Sequence, residues 1–197
     1  MSRLQTSFVL GYHGCDRAVA EAVISGKADL LRSERGYDWL GPGAYFWEFD
    51  PQRAMEWAEA KVARKQYKAP GVIGAVIDLR NCLDLVVREN LELVRGAFES
   101  FSEIQQTAGL PLPENKPISA DPTGEPLLRY LDCAVIQHLH QIIEEDENDS
   151  GIEPYDTVRG MFDEGEPLYP TSGFRIRNHV QIAVRNPNCI LGLFHPR

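Results

Sequence analysis

The chain has little cysteine, and none of it is clustered. Cys15, Cys82, Cys133 and Cys189 are scattered through 197 residues without a C-x-x-C pair. That spacing excludes a zinc-finger pattern and a disulfide framework, and it points to a reducing compartment. Long apolar runs are also missing. Nothing approaches the roughly 18 consecutive apolar residues of a membrane helix, so no membrane partner is expected. Residues 1–10 carry a single arginine and no apolar core, so they do not read as a secretory signal. Together these features make a cytoplasmic location the expectation. Positive charge is short as well: 20 Lys and Arg against 29 Asp and Glu give a net charge of −9. Tracking a phosphate backbone requires the opposite sign, which excludes nonspecific nucleic acid as a partner while leaving room for a local basic patch. Internal repeats and low-complexity segments are absent.

What is present fits one globular domain over residues 1–197. Hydrophobic residues make up 43% and charged residues 25%, ordinary values for a chain with a single core. The apolar stretch 6–12 reads as a strand closed by Gly14. Asp16 is suited to cap a helix over 17–25, with Gly26 as its stop. A polar loop, 27–39, leads to the rigid Gly41-Pro42-Gly43 turn and a short aromatic strand over 44–47. Asp50-Pro51 is a cap followed by proline at the first helical position, which predicts a helix to about residue 66. A buried strand over 72–79 and an amphipathic helix over 89–108 follow. Four prolines (Pro111, Pro113, Pro117 and Pro122) make 109–125 an irregular insertion. A strong helix over 126–145 then runs into an acidic tract at 144–149, read as solvated, and three strands (156–162, 176–185, 190–194) close the chain. Helices and strands mix without regular βαβ alternation, which argues for α+β.

Three pieces carry chemistry. The first is Gly11-Tyr12-His13-Gly14-Cys15, a strand ending in histidine and glycine. The second is Gly43-Ala44-Tyr45-Phe46-Trp47, and the third is the late strand around Gln181. In this order they resemble the ADP-ribosyltransferase family, in its branch of poly(ADP-ribose) polymerases and diphtheria toxin. The resemblance implies two small antiparallel-rich sheets around an NAD cleft with flanking helices. It also implies a mono-ADP-ribosyltransferase, a glycosyltransferase that uses NAD as substrate, needs no metal and modifies an unknown macromolecular acceptor. Tyr12, His13, Gly14, Tyr45 and Trp57 would bind NAD, and His13, Tyr45 and Gln181 would be the catalytic set. The acceptor and the biological setting stay open. A small inhibitory protein encoded nearby would mark a toxin.

These roles are chemically sound on their own terms. Histidine at a strand end can hydrogen-bond a ribose hydroxyl from a fixed backbone. A neighbouring glycine lets a carboxamide reach main-chain N–H and C=O groups. Tyr45 offers a flat face to the nicotinamide ring, worth ~0.5–1.5 kcal/mol beyond burial. In this scheme His13 and Tyr45 hold opposite ends of the dinucleotide. Two positions depart from the family. Glu56 stands where a second stacking aromatic is usual, with Trp57 next to it, and Gln181 replaces the usual glutamate. Glutamine keeps hydrogen bonds but carries no charge. The alternative it raises is a catalytically silent module that binds NAD or ADP-ribose. Plain packing competes at each position: His13 as a satisfied strand-end residue, Tyr45 and Trp57 as core, Gln181 as a strand residue turned from the site, Cys15 as a buried thiol. Glu164 or Glu166, in the loop before the strand of Gln181, could lean in as a substitute carboxylate. His138 and His140 sit two apart on a helix, face opposite ways and cannot share a metal ion.

Overall fold

A computed structural model of the chain describes residues 8–117, 126–145 and 153–196. Local sequence signals account for most of its elements. β1 (Phe8–Asp16) leads into α1 (Arg17–Ile24), whose cap is the Asp16 carboxylate accepting from the Ala18 amide at 3.0 Å. Gly26 ends this turn in the left-handed region, at φ 71°, where a side chain would be strained. β2 (Ala44–Glu48) is followed by α2 (Pro51–Ala63), capped by Asp50 on the Arg53 amide at 2.8 Å. β3 (Pro70–Asp78), the three-residue β4 (Cys82–Asp84), α3 (Arg88–Thr107) and α4 (Tyr130–Glu145) come next. β5 (Thr157–Phe162), β6 (His179–Val184) and β7 (Ile190–Phe194) complete the set. The short β4 was not expected; three residues are too few to display a period. Of the proline-rich insertion and the acidic tract, residues 118–125 and 146–149 lie outside the described residues, as do residues 6 and 7 of the first strand.

The result is a mixed fold of helices around a multi-stranded sheet. Two separate sheets were expected, and here the structure corrects the sequence reading. All seven strands form one sheet in the order β4-β5-β6-β2-β1-β3-β7. The junction between its halves is slight, however. β1 and β2 pair at only two positions, Gly11↔Glu48 and Tyr12↔Trp47, whereas β1 and β3 pair along their whole length from Phe8↔Asp78 to Asp16↔Pro70. Past Tyr12 the two strands part, leaving a fork.

Strand alternation sends successive side chains to opposite faces. On one face, Tyr12, Trp47, Val72 and Trp57 pack around Ala54 of α2, while Trp39, Leu83, Val158, Phe162 and Ala183 pack against α3 and α4. On the other, Phe46, Ile77, Ile182 and Val184 form a second core, with Cys15 and Ile73 under α1. The seat of α2 is tight. A Cβ placed on Gly14 would stand 2.2 Å from the Ala54 carbonyl oxygen, so glycine lets helix and strand meet here. Gly14→Ala should therefore push α2 off β1 and destabilise the protein by about 1–3 kcal/mol in chemical denaturation. A change below 0.5 kcal/mol would mean that α2 is not fixed at this point.

Candidate functional site

The fork brings the first two motifs together. At the end of β1, the His13 ring sits in the gap with its Nδ1 2.8 Å from the Tyr45 carbonyl oxygen. A carbonyl only accepts, so Nδ1 carries the hydrogen and Nε2 of the neutral ring is an acceptor. Burial lowers the His13 pKa, and the Tyr45 carbonyl opposes this only in part, so the neutral ring is the favoured form. The backbone of Gly14 has a clear direction as well. The Leu10 carbonyl accepts from Phe49 across the β1–β2 edge at 2.9 Å, and main-chain groups on a strand return to the same edge every second residue. The N–H and C=O of Gly14 therefore face into the fork, beyond the last β1–β2 pair.

Tyr45 and Trp57 both lie on the α2 side of the sheet. The Tyr45 hydroxyl donates to the Gly41 carbonyl at 2.9 Å and accepts from the Leu40 amide at 3.0 Å, which pins the Gly-Pro-Gly turn. Its ring is half-buried, and burial raises its pKa. Trp57 comes within 3.4 Å of where a Gly14 Cβ would be, and stacks obliquely on Trp47 and Tyr67 at 5.9 Å. Glu56, by contrast, is exposed and accepts from Gln52 along its own helix. His13 and Tyr45 were expected to hold opposite ends of a dinucleotide. They are immediate neighbours, with His13 Nδ1 on the Tyr45 carbonyl, so the two do not lie at opposite ends of a dinucleotide-length site.

Gln181 lies on β6, paired with Trp47 on one side and Gly160 on the other. Its Oε1 accepts from the Trp39 indole Nε1 at 2.7 Å, a bond spanning 142 positions of sequence. The Trp39 ring fits over Gly160, where a Cβ would meet Trp39 at 2.7 Å. Sequence reading did not single out Trp39, and no local signal marks it, because the contact exists only once β5, β6 and the 33–43 segment are assembled.

Beside Gln181 lies a second group the sequence did not assemble. His179, two residues earlier on the same face, is buried between Phe162 and Trp47, with ring centroids at 5.6 and 6.1 Å. Its Nδ1 donates to the Arg177 carbonyl at 2.6 Å, and among the described residues neither its buried Nε2 nor the buried Trp47 Nε1 has a partner. Burial is the main cause that lowers the His179 pKa. Glu164 is paired with Arg53 beside this group. Arg53 Nη2 contacts both of its oxygens, at 2.8 and 2.6 Å, and the His179 ring is 4.0 Å away. Glu166 is exposed. The remaining candidates are packing residues: burial pushes the Cys15 thiol up to about 11, with Asp16 adding to it, which makes it a poor nucleophile. His138 reaches Ser100 on α3 at 3.1 Å, whereas His140 is buried against Tyr155, so the pair does face opposite ways.

A cavity of about 410 Å³ lies elsewhere, between α3 and α4, lined by Leu91, Val94, Phe98, Leu131 and Val135. It shares Trp39 with the site but touches none of His13, Tyr45 and Gln181. Among the described residues no helix is long and apolar enough to cross a membrane. No family model, curated protein or solved structure matches the chain, so a functional reading rests on the residues of the fork themselves.

Proposed function

We propose that this protein is a cytoplasmic mono-ADP-ribosyltransferase that binds NAD in the fork and transfers ADP-ribose to a macromolecular acceptor. The observation that carries the reading is the parting of β1 and β2 after Tyr12↔Trp47, which leaves the Gly14 main chain facing a gap that the His13 ring borders through its bond to the Tyr45 carbonyl. A planar carboxamide could pair with the Gly14 N–H and C=O, with Tyr45 and Trp57 offering ring faces on one side of the sheet. His13 Nε2 would accept from a ribose hydroxyl, and Gln181 would orient the nicotinamide ribose. In the reaction the C1′–N bond breaks with both electrons leaving on nicotinamide. The resulting ribosyl cation is captured by an acceptor nucleophile, which loses its proton. A carboxylate beside that cation would stabilise it more than the Gln181 amide, so an acceptor that is already nucleophilic fits best.

The second reading, a silent module that binds NAD or ADP-ribose, is favoured by one fact. The Gln181 oxygen is already engaged by Trp39. The readings separate on incubation with NAD in cell extract. Nicotinamide release supports the transferase, whereas thermal stabilisation by NAD without release supports the binder. Absence of both discards the fork as an NAD site. His13→Ala is expected to weaken NAD binding in calorimetry at least tenfold, because it removes the ribose acceptor and frees the Tyr45 carbonyl. Parent-like affinity would remove His13 from the site. Tyr45→Ala is a poorer probe, since the hydroxyl holds the turn at Leu40 and Gly41.

A further inference from the structure

Gln181 and Tyr45 are both tied to the turn formed by residues 38–41. The Tyr45 hydroxyl holds it at the Leu40 amide and the Gly41 carbonyl, at 3.0 and 2.9 Å, and the Gly41 amide closes it on the Asp38 carbonyl at 2.7 Å. One residue before Leu40, the Trp39 indole reaches across to Gln181 at 2.7 Å. The indole is itself wedged in place. It is buried, its ring meets Phe162 with centroids 5.2 Å apart, and Gly160 supplies the room, since a Cβ there would come within 2.7 Å of it. The Arg129 guanidinium lies 5.8 Å from the centroid of the same ring.

This anchorage fixes the polarity of Gln181 as well as its position. An indole N–H can only donate, so the atom it meets is the amide oxygen, and the amide cannot turn over without stranding a buried donor. Oε1 is thus committed to Trp39, and among the described residues no partner takes up Nε2. Nε2 carries two N–H groups and accepts nothing. Toward a group placed beside it, Gln181 therefore acts as a donor. A glutamate here would have the reverse property, because its second oxygen only accepts. The register puts Gln181 opposite Trp47, and Trp47 opposite Tyr12, the last pair before β1 and β2 part. The donor thus stands beside the fork, on the face of the sheet that bears Tyr45.

We propose that Trp39 is a positioning residue that presents the Gln181 amide to the substrate as a hydrogen-bond donor, an inference that rests on reading the fork as an NAD site. The ribose hydroxyl next to the scissile C1′–N bond is then read as an acceptor, and a substituent that cannot donate is tolerated in its place. The test uses an NAD analogue with fluorine instead of that 2′-hydroxyl, a change that also slows cleavage during calorimetry. The parent should bind the analogue within about threefold of NAD. Gln181→Glu should bind it at least tenfold more weakly than NAD, because its carboxylate loses a donor and faces fluorine. Trp39→Phe keeps a ring but frees the amide, and should weaken NAD binding severalfold, since the side chain is no longer held in its bound orientation. Combined with Gln181→Glu, the same change should weaken NAD less than about twofold, because both carboxylate oxygens accept and neither orientation is wrong. Thermal unfolding confirms that each variant folds. If Trp39→Phe weakens NAD equally in the two backgrounds, or not at all, Trp39 is a packing residue and its positioning role is overturned. An analogue penalty equal in the parent and in Gln181→Glu overturns the donor assignment, whether or not Trp39→Phe folds. Either result leaves the fork reading standing, whereas a parent that binds neither NAD nor the analogue overturns both.

Discussion

Acidification from pH 7 to pH 5 should destabilise this fold, with one buried histidine alone supplying about 2 kcal/mol. His140 is 4% exposed, and among the described residues neither ring nitrogen has a partner. Burial, helped by the Arg185 charge, pushes its pKa down to about 3, against ~6.5 in an unfolded chain. Between those two values the unfolded chain binds a proton that the folded protein does not. Stability is therefore fully present above about pH 6.5 and is lost as pH falls through the window, at about 1.4 kcal/mol per pH unit for one such group. His13 and His179 have lowered pKa values as well and act in the same direction. Carboxylates also respond to acid, so the contribution of His140 is best isolated by difference. His140→Leu keeps a similar volume and removes two unpartnered polar atoms, which should stabilise the protein by about 1–3 kcal/mol at pH 7. Its denaturation midpoint should also fall less steeply than that of the parent between pH 7 and pH 5. Parallel pH profiles for the two proteins would show that His140 does not stay neutral in the fold.

The second large effect is expected at Gln181, the residue that separates enzyme from binder. Gln181→Glu retains an oxygen to accept from Trp39 Nε1 and adds a negative charge beside the proposed ribosyl cation. By analogy with donors that stabilise developing charge, the change corresponds to ~3–4 kcal/mol of barrier, or about 10²–10³ in rate, if the charge is fully felt. A rise of at least tenfold in NAD hydrolysis without acceptor is the expected result, since water is the weakest nucleophile and gains most. Gln181→Ala is a different perturbation in this structure than the sequence alone implies. It strands the indole N–H of Trp39, a residue 8% exposed, and should destabilise the protein by about 1–3 kcal/mol while lowering transfer more than NAD affinity. Trp39→Phe separates the two effects, because it removes the donor and leaves the glutamine in place. Nicotinamide release at saturating NAD, with unfolding temperatures alongside, would be compared across the four proteins. If Gln181→Glu and Gln181→Ala both release nicotinamide at the parental rate, Gln181 is a packing residue, and the carboxylate to examine is Glu164, 14% exposed and held by Arg53.

Those two predictions draw on different kinds of information, and the division runs through the whole molecule. Local chemistry alone placed the starts of α1 and α2, because Asp16 and Asp50 satisfy amides within three residues and Pro51 needs no donor at the first helical position. The same holds for the end of α1 at Gly26, for the aromatic strand after Gly43, and for the opposite facing of His138 and His140, all set by the backbone's own periods. The His13-Gly14 and Tyr45 motifs were legible because each lies within a few residues. What only the tertiary structure decided is which residues distant in sequence come into contact. One sheet replaced two because two residue pairs at Gly11 and Tyr12 suffice to join its halves, and no sequence pattern records so short a junction. The fork, the Trp39–Gln181 bond and the Arg53–Glu164 pair all join segments whose separation in the chain carries no period. Periodicity and capping act over one or two turns of backbone. The fork in the sheet is fixed by which strands pair and where that pairing stops, and its surroundings depend on the packing of α2 on Gly14 and of Trp39 on Gly160 rather than on any residue's neighbours in sequence.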